Sequence, residues 1–263
     1  MESHAPWTQE KLDSAFEEQS KKEPSAIFLN SFGRRVFRYE GRIIKYGEPV
    51  DLHEAQALAF VKQSGLNIPV PQLYSSSSSG EIKVIEMQVI EGDTLDKVWD
   101  GLTEQERLSY AQQLRQIVTQ LHSLEGDYIS SLERGPAVDA RRDRNYGGPF
   151  VDEAEFNTFL LSNTISTTPD IYRKLLESLL SHRTHRIVFT HGDLSPSNII
   201  VKGGLIVGII DWENAGWYPE YWESLQFFRG MYRGYRDYAD VIFEVLHPVA
   251  VVTDHFLGHL TRH

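Results

Sequence analysis

Residues Arg186 to Glu213 read RIVFTHGDLSPSNIIVKGGLIVGIIDWE, the densest pattern in the chain. Ile187-Val188-Phe189 is an apolar strand that stops at a polar loop, His191-Gly192-Asp193-Leu194-Ser195-Pro196-Ser197-Asn198. Ile199-Ile200-Val201 resumes as a strand, Gly203-Gly204 turns the chain, and Leu205 to Ile210 returns. A two-residue loop fixes hairpin register. Lys202 is therefore expected opposite Leu205, Ile200 opposite Val207, and Asn198 opposite Ile209. Side chains alternate faces along a strand. Asn198 and Asp211 are then expected on one face, as diagonal neighbours roughly 7–8 Å apart. Two oxygen-bearing side chains so placed converge on one hard cation.

Asp193 sits in the loop entering this hairpin, outside the ladder. A carboxylate near a metal site, but not forced to be a ligand, suits the role of catalytic base toward a substrate hydroxyl. Pro196 stiffens the loop, and Gly192 permits a backbone conformation that a side chain forbids. Taken singly, each residue has a plainer role. An Asp after a strand caps or turns, as does an Asn at a strand start, and a buried His at such a loop holds it by hydrogen bonds. Together they give His-x-Asp-Leu-x-x-x-Asn, a hairpin, and an Asp at its end. That is the kinase catalytic loop and metal-binding Asp in their structural context.

The rest of the chain narrows the class. The 263 residues suit one large domain or two small lobes around a cleft. A hydrophobic fraction of 41% supports a folded core. The formal charge of -11 disfavours nucleic acid and anionic membranes as partners. With no cysteine there is no disulfide, zinc-thiolate site or thiol nucleophile. No signal peptide and no transmembrane run is legible, so a soluble cytoplasmic protein is expected.

Along the chain, an amphipathic helix is expected up to Pro24, docking through Trp7, Leu12 and Phe16. Val36–Tyr39 and Arg42–Tyr46 read as a hairpin about Glu40-Gly41. Asp51 caps a helix ending near Gly65, with Glu54 at the capping-box position. Prolines keep 67–71 out of a helix. Ser75 to Ser79 reads as a solvated loop tip, followed by a strand from Ile82 to Ile90. From Gly92 the chain turns helical. Thr103 and Glu106 form a capping box ahead of Leu108, Ala111, Leu114, Val118 and Leu121 at helical spacing. Residues 126–149 read as irregular, with a short helix around Phe156 to Leu160 and another opened by Thr168-Pro169. The tail beyond Pro219 reads as helical and aromatic.

HGDLSPSN followed by GIIDWENAGWYPEYWE resembles the aminoglycoside phosphotransferase / choline kinase-like superfamily, and more closely its fungal branch. IEMQVIEGDTLDKVW matches in order as well, so the resemblance spans most of the chain. It implies an α+β, bilobal protein-kinase-like fold. Residues 1–90 would form a β-rich nucleotide lobe with one main helix, and 91–263 a mainly helical catalytic and acceptor lobe. It implies an ATP- and Mg²⁺-dependent phosphotransferase acting on a small-molecule hydroxyl, with Asp193 as base and Asn198 and Asp211 as metal ligands. The branch commonly carries His and Arg where this chain has Ser195 and Ser197. Asp211-Trp212-Glu213 has no third-place Gly, which speaks against a flipping switch.

The same resemblance places on Lys45 the task of holding the α- and β-phosphates; a solvated strand lysine is the alternative. Glu54 shares a helical face with Leu58 and Val61, so its carboxylate needs a cation, and Lys45 is the candidate, against a cap alone. Asn30 to Gly33 is either a Gly-poor phosphate-covering loop or an ordinary turn. Backbone groups near Gln88 and Val89 would pair with adenine, or simply end a strand. Glu213 and His191 read as structural. Arg141-Arg142-Asp143-Arg144 reads as a solvated loop or an anion contact. The aromatics from Trp212 to Phe228 read mainly as core, with Trp217 and Tyr218 as possible pocket walls. A nucleotide-binding module without catalysis is the second reading. A kinase of proteins is disfavoured by the short segment after Asp211. The acceptor, the choice between ATP and GTP, and the oligomeric state have no readable code.

Overall fold

A computed structural model describes residues 7–139, 145–162, 164–230, 232 and 234–260; the basic run at 141–144 lies outside them. Helix α1 (Gln9–Lys22) is capped by Thr8 and buries Leu12, Ala15 and Phe16. They pack on Phe37, Ile44, Tyr46 and Val84 of an antiparallel sheet ordered β1-β2-β3-β5-β4. Its strands are β1 (Ile27–Ser31), β2 (Arg34–Tyr39), β3 (Arg42–Gly47), β4 (Leu73–Ser79) and β5 (Ile82–Gln88). β3 is central and covered on both faces, so Ile44, Lys45 and Tyr46 are all buried.

Two expectations are corrected here. The serine tract is not a loop tip: Ser75–Ser79 pairs with Glu86–Ile82 along β5, and the chain turns at Gly80 instead. β4 is an outer strand open to solvent, where the backbone ladder alone defines it and side chains need no apolar partner. Helix α2 (His53–Gln63) takes its cap from Asp51, whose Oδ1 accepts the His53 N–H at 3.0 Å. Glu54 does not complete a capping box; its carboxylate turns inward onto Lys45.

β5 ends at Gln88. The connecting segment passes close to the rear sheet at Gly92, whose φ is +156° and where a Cβ would lie 2.5 Å from the Val201 carbonyl. β6 (Asp93–Thr94) then joins β10 (Ile199–Lys202) and β11 (Leu205–Ile209) in the order β11-β10-β6. α3 (Leu95–Val98) leads to α4 (Glu104–Leu121), which starts on the Thr103–Glu106 capping box. The small ribbon β7 (Ala137–Asp139) and β8 (Asn145–Gly147) follows, then α5 (Glu153–Ser162) and α6 (Asp170–Leu180). α6 has no side-chain cap, and Pro169 stands just before it rather than within it. β9 (Ile187–Thr190) pairs with β12 (Gly216–Pro219). The chain ends in α7 (Trp222–Arg229), α8 (Ala239–Ile242) and α9 (Pro248–Leu260).

The main core does not stop where sheet gives way to helix. Leu58, Val61 and Ile85 share one buried cluster with Leu114, Phe189, Trp212 and Phe243. α2 makes the join: its Phe60 ring lies 4.7 Å from Phe189 and 5.7 Å from Trp217. A second cluster, with Phe156, Leu160, Leu176, Trp222 and Leu257, holds the rear helices together. Among the described residues no helix is long and apolar enough to cross a membrane.

Candidate active site

The β10–β11 hairpin starts as expected, with Lys202 opposite Leu205. The register then slips by one residue. Val201 faces Ile206, but Ile200 faces Gly208 and Ile199 faces Ile209, so Val207 is the extra residue of a bulge. Asn198 consequently accepts the N–H of Ile210, not that of Ile209. Asn198 itself lies in a 3-10 turn, Pro196–Asn198, and Asp211 is left-handed at φ 62°. Their placement therefore comes from two turns, not from a shared strand face as expected. A non-glycine residue held at such a φ is strained, and the surroundings must impose it.

Those surroundings are visible. Trp212, directly after Asp211, is fully buried, donates its indole N–H to Ile209 O and meets the His191 ring edge-on, with ring centres 4.4 Å apart. His191 Nε2 donates to Ile210 O, and its Nδ1 accepts the Asp193 N–H at 3.1 Å. Burial holds this imidazole neutral by lowering its pKa, against the pull of Asp193. His191 thus ties the Asp193 loop to the strand that ends in Asp211.

Asp193 is clasped by Asn198, whose Nδ2 donates to Asp193 O at 3.1 Å and Oδ2 at 2.9 Å. That leaves Asn198 Oδ1 without a partner among the described residues. Underneath, Glu223 is fully buried and accepts the N–H groups of His191 at 2.6 Å and Gly192 at 3.0 Å. Gly192 has a φ of +80°, and a Cβ there would stand 2.6 Å from Asn214 O.

On the front sheet, Lys45 Nζ lies 2.6 Å from Glu54 Oε2, 2.8 Å from Asp211 Oδ1 and 3.5 Å from Glu213 Oε2. Arg34 Nη1 meets Glu213 Oε2 at 2.8 Å. Burial works against the charge on Lys45, but Glu54, Asp211 and Glu213 outweigh it and hold the ammonium above its ordinary range. Burial pushes Glu54 up, opposed by Lys45. Asp211 would be raised by burial, yet Lys45 and then Arg34 hold it below its ordinary value. The carboxylate trio lies within 4.8 Å, but Lys45 already fills its centre. Asp211 keeps 34% of its side chain open, whereas Glu54 and Lys45 keep 3% and 6%. A part-exposed carboxylate on Asp211 and the Oδ1 of Asn198, which has no partner among the described residues, fit a hard divalent cation.

At the chain crossing, the Gln88 N–H is spent on Gln72 O at 2.9 Å. That N–H is not free for a ligand. Val89 is half-buried, and among the described residues its backbone groups have no partner. Asn30–Gly33 forms a tight turn at Phe32-Gly33, both at positive φ. Trp217 packs on Phe60 and Phe189, and Tyr218 is buried with its hydroxyl accepting the Val138 N–H. Both belong to the core.

A family model described as APH, phosphotransferase enzyme family, matches residues 46–228. The chain belongs to this phosphotransferase family. The matched span holds Glu54, Asp193, Asn198, Asp211 and Glu223, and begins one residue past Lys45. Solved aminoglycoside phosphotransferases have the same fold. APH(4)-Ia is 14% identical with a TM-score of 0.64, covering 95% of this chain and 92% of that one. APH(2")-IIa, solved with streptomycin and ATP, gives 14% and 0.60, covering 97% and 87%. ADP-bound APH(2'')-Ib gives 14% and 0.61, covering 93% and 85%. No curated protein matches. The fold is thus the bilobal protein-kinase-like one of this phosphotransferase family.

Two site residues escaped the sequence reading. Arg34 follows a turn and reads as any surface strand arginine. Glu223 carried a signal: it is an acid in the run Tyr221-Trp222-Glu223-Ser224-Leu225, where every neighbour is buried, and a buried carboxylate needs donors.

Proposed function

We propose that this phosphotransferase moves the γ-phosphoryl group of ATP to a hydroxyl of a small molecule. The observation that carries the reading is the contact of Lys45 with both Glu54 and Asp211, together with an Asp193 clasped by Asn198. Lys45 holds the α- and β-phosphates, releasing Asp211 as nucleotide enters, while Glu54 keeps the ammonium in place. Val89 offers its backbone groups to the adenine. Asn198 Oδ1 and Asp211 would hold Mg²⁺, which when bound neutralises charge on the phosphates. Asp193 accepts the acceptor's hydroxyl proton on its carboxylate. The acceptor oxygen bonds to the γ-phosphorus as the bond to the bridging oxygen breaks, and ADP leaves with that oxygen. The nucleotide lobe would end near residue 90, and use of ATP goes with a cytoplasmic location.

A second reading, a nucleotide-binding module without turnover, is favoured by one observation. Ser195 and Ser197 bond each other at 3.0 Å where the resembled branch carries His and Arg. A metabolite pool incubated with Mg-ATP separates the two. Phosphotransfer predicts a phosphoryl mass gain on one hydroxyl compound, lost in Asp193→Asn. Stabilisation by Mg-ATP with no product and no ATP consumption supports the second.

A further inference from the structure

Beside Asp193 lies a narrow cavity of ≈ 10 Å³, walled by Ser195, Gln226, Phe227, Tyr232 and Arg236. A volume of that order admits about one water-sized atom, so the chemistry of its lining selects which single oxygen or nitrogen of the acceptor reaches in next to the reacting hydroxyl. The polar walls are mostly donors. Gln226 Oε1 accepts from Arg229 Nη1 at 3.0 Å, which fixes the amide and leaves its Nε2 hydrogens without a partner among the described residues. Arg229 itself is neutralised by Asp254 at 2.6 Å. Arg236 is not: its Nη1 donates to Phe228 O at 3.2 Å, and among the described residues it has no carboxylate partner. The hydroxyls are occupied with one another, Tyr232 donating to Ser197 at 3.1 Å and Ser197 meeting Ser195. Among the described residues Asp193 is the sole carboxylate in the lining, and its task is the hydroxyl proton.

A polyammonium compound needs carboxylates and carbonyls, because ammonium groups only donate. A lining of free amide and guanidinium N–H groups calls for oxygen acceptors, best an anionic group that Arg236 can pair with. We infer that the acceptor of this enzyme is a hydroxy compound bearing an anionic oxygen group near the reacting hydroxyl, and not a polycation, with Arg236 as the specificity residue. The inference rests on the phosphotransfer reading above.

The test measures ADP release from Mg-ATP with four acceptor sets: sugar acids and other hydroxycarboxylates, sugar phosphates, neutral sugars, and aminoglycosides. The water-driven rate and Asp193→Asn serve as references. At least one anionic set should exceed the best aminoglycoside tenfold or more in kcat/KM, and the set that wins says whether carboxylate or phosphate is read. Arg236→Gln should raise the KM of that set tenfold or more with kcat changed far less, and Arg236→Lys should recover part of it. Aminoglycosides or neutral sugars outperforming both anionic sets, or a KM untouched by Arg236→Gln, overturns the inference and leaves phosphotransfer standing. Absence of any Asp193-dependent ATP turnover, with acceptors or with water, sinks the phosphotransfer reading and this inference with it.

Discussion

Lys45 Nζ and Asp211 Oδ1, 166 residues apart in the chain, stand 2.8 Å from each other and tie the front sheet to the end of the rear hairpin. One ammonium serves Glu54 of the front helix and Asp211 of the rear hairpin. Its loss strands Glu54, which is 2% exposed, as an unpaired buried charge. Lys45→Met should cost about 3–5 kcal/mol of stability. Adding Glu54→Leu should recover much of it, because the buried charge goes too. Urea unfolding midpoints check this, and a Lys45→Met protein as stable as the parent contradicts it.

Glu223 titrates in a readable way. Burial pushes its carboxyl from 4.5 up to about 7, against the His191 and Gly192 N–H groups that favour the charged form. The folded protein therefore binds this proton more tightly than the unfolded chain. The group's contribution to stability is fully present below 4.5 and is lost as pH rises through about 7. In Glu223→Gln the decline between about pH 5 and 7.5 should flatten by a few kcal/mol at most. Denaturant titrations of both proteins across that range measure the difference; parallel curves count against the assignment.

How far the sequence carried depended on what each residue is held by. The polar 191–198 loop between two strands, the Thr103–Glu106 box and the inward face of Glu54 were legible because motif, cap chemistry and helical period are local signals. The β10–β11 register was not, because the Val207 bulge answers to packing beyond the hairpin. The serine strand was missed because an edge strand takes its identity from backbone pairing with β5. Gln88 failed as a free donor because Gln72 returns beside it, a pairing that no local pattern announces. Arg34 and Glu223 act through partners about 180 and 30 positions away, distances over which a single sequence is silent.

Gly192 tolerates no side chain on two counts, its positive φ and the closeness of Asn214 O. Gly192→Ala should lose about 1–3 kcal/mol and displace the Asp193 backbone, lowering turnover more than the stability loss alone accounts for. Thermal melts together with ATP turnover at a temperature well below both midpoints test it. Unchanged turnover in a mildly destabilised protein would show that the loop does not depend on this glycine.

Because the main core joins α2 and β5 to Leu114, Phe189 and Trp212, front and rear should unfold together. Calorimetry should show one cooperative transition rather than two. Two well-separated transitions would mean that the Phe60 contacts are too weak to couple the halves.

The division of labour between Asp193 and Asp211 is settled by titrating Mg-ATP into both variants and following phosphoryl transfer beside them. Asp193→Asn should bind Mg-ATP within a few-fold of the parent while transfer falls about 10²–10⁴-fold, and Asp211→Ala should lose Mg-ATP affinity first. An Asp193→Asn enzyme that transfers phosphoryl groups at the parent rate contradicts the account.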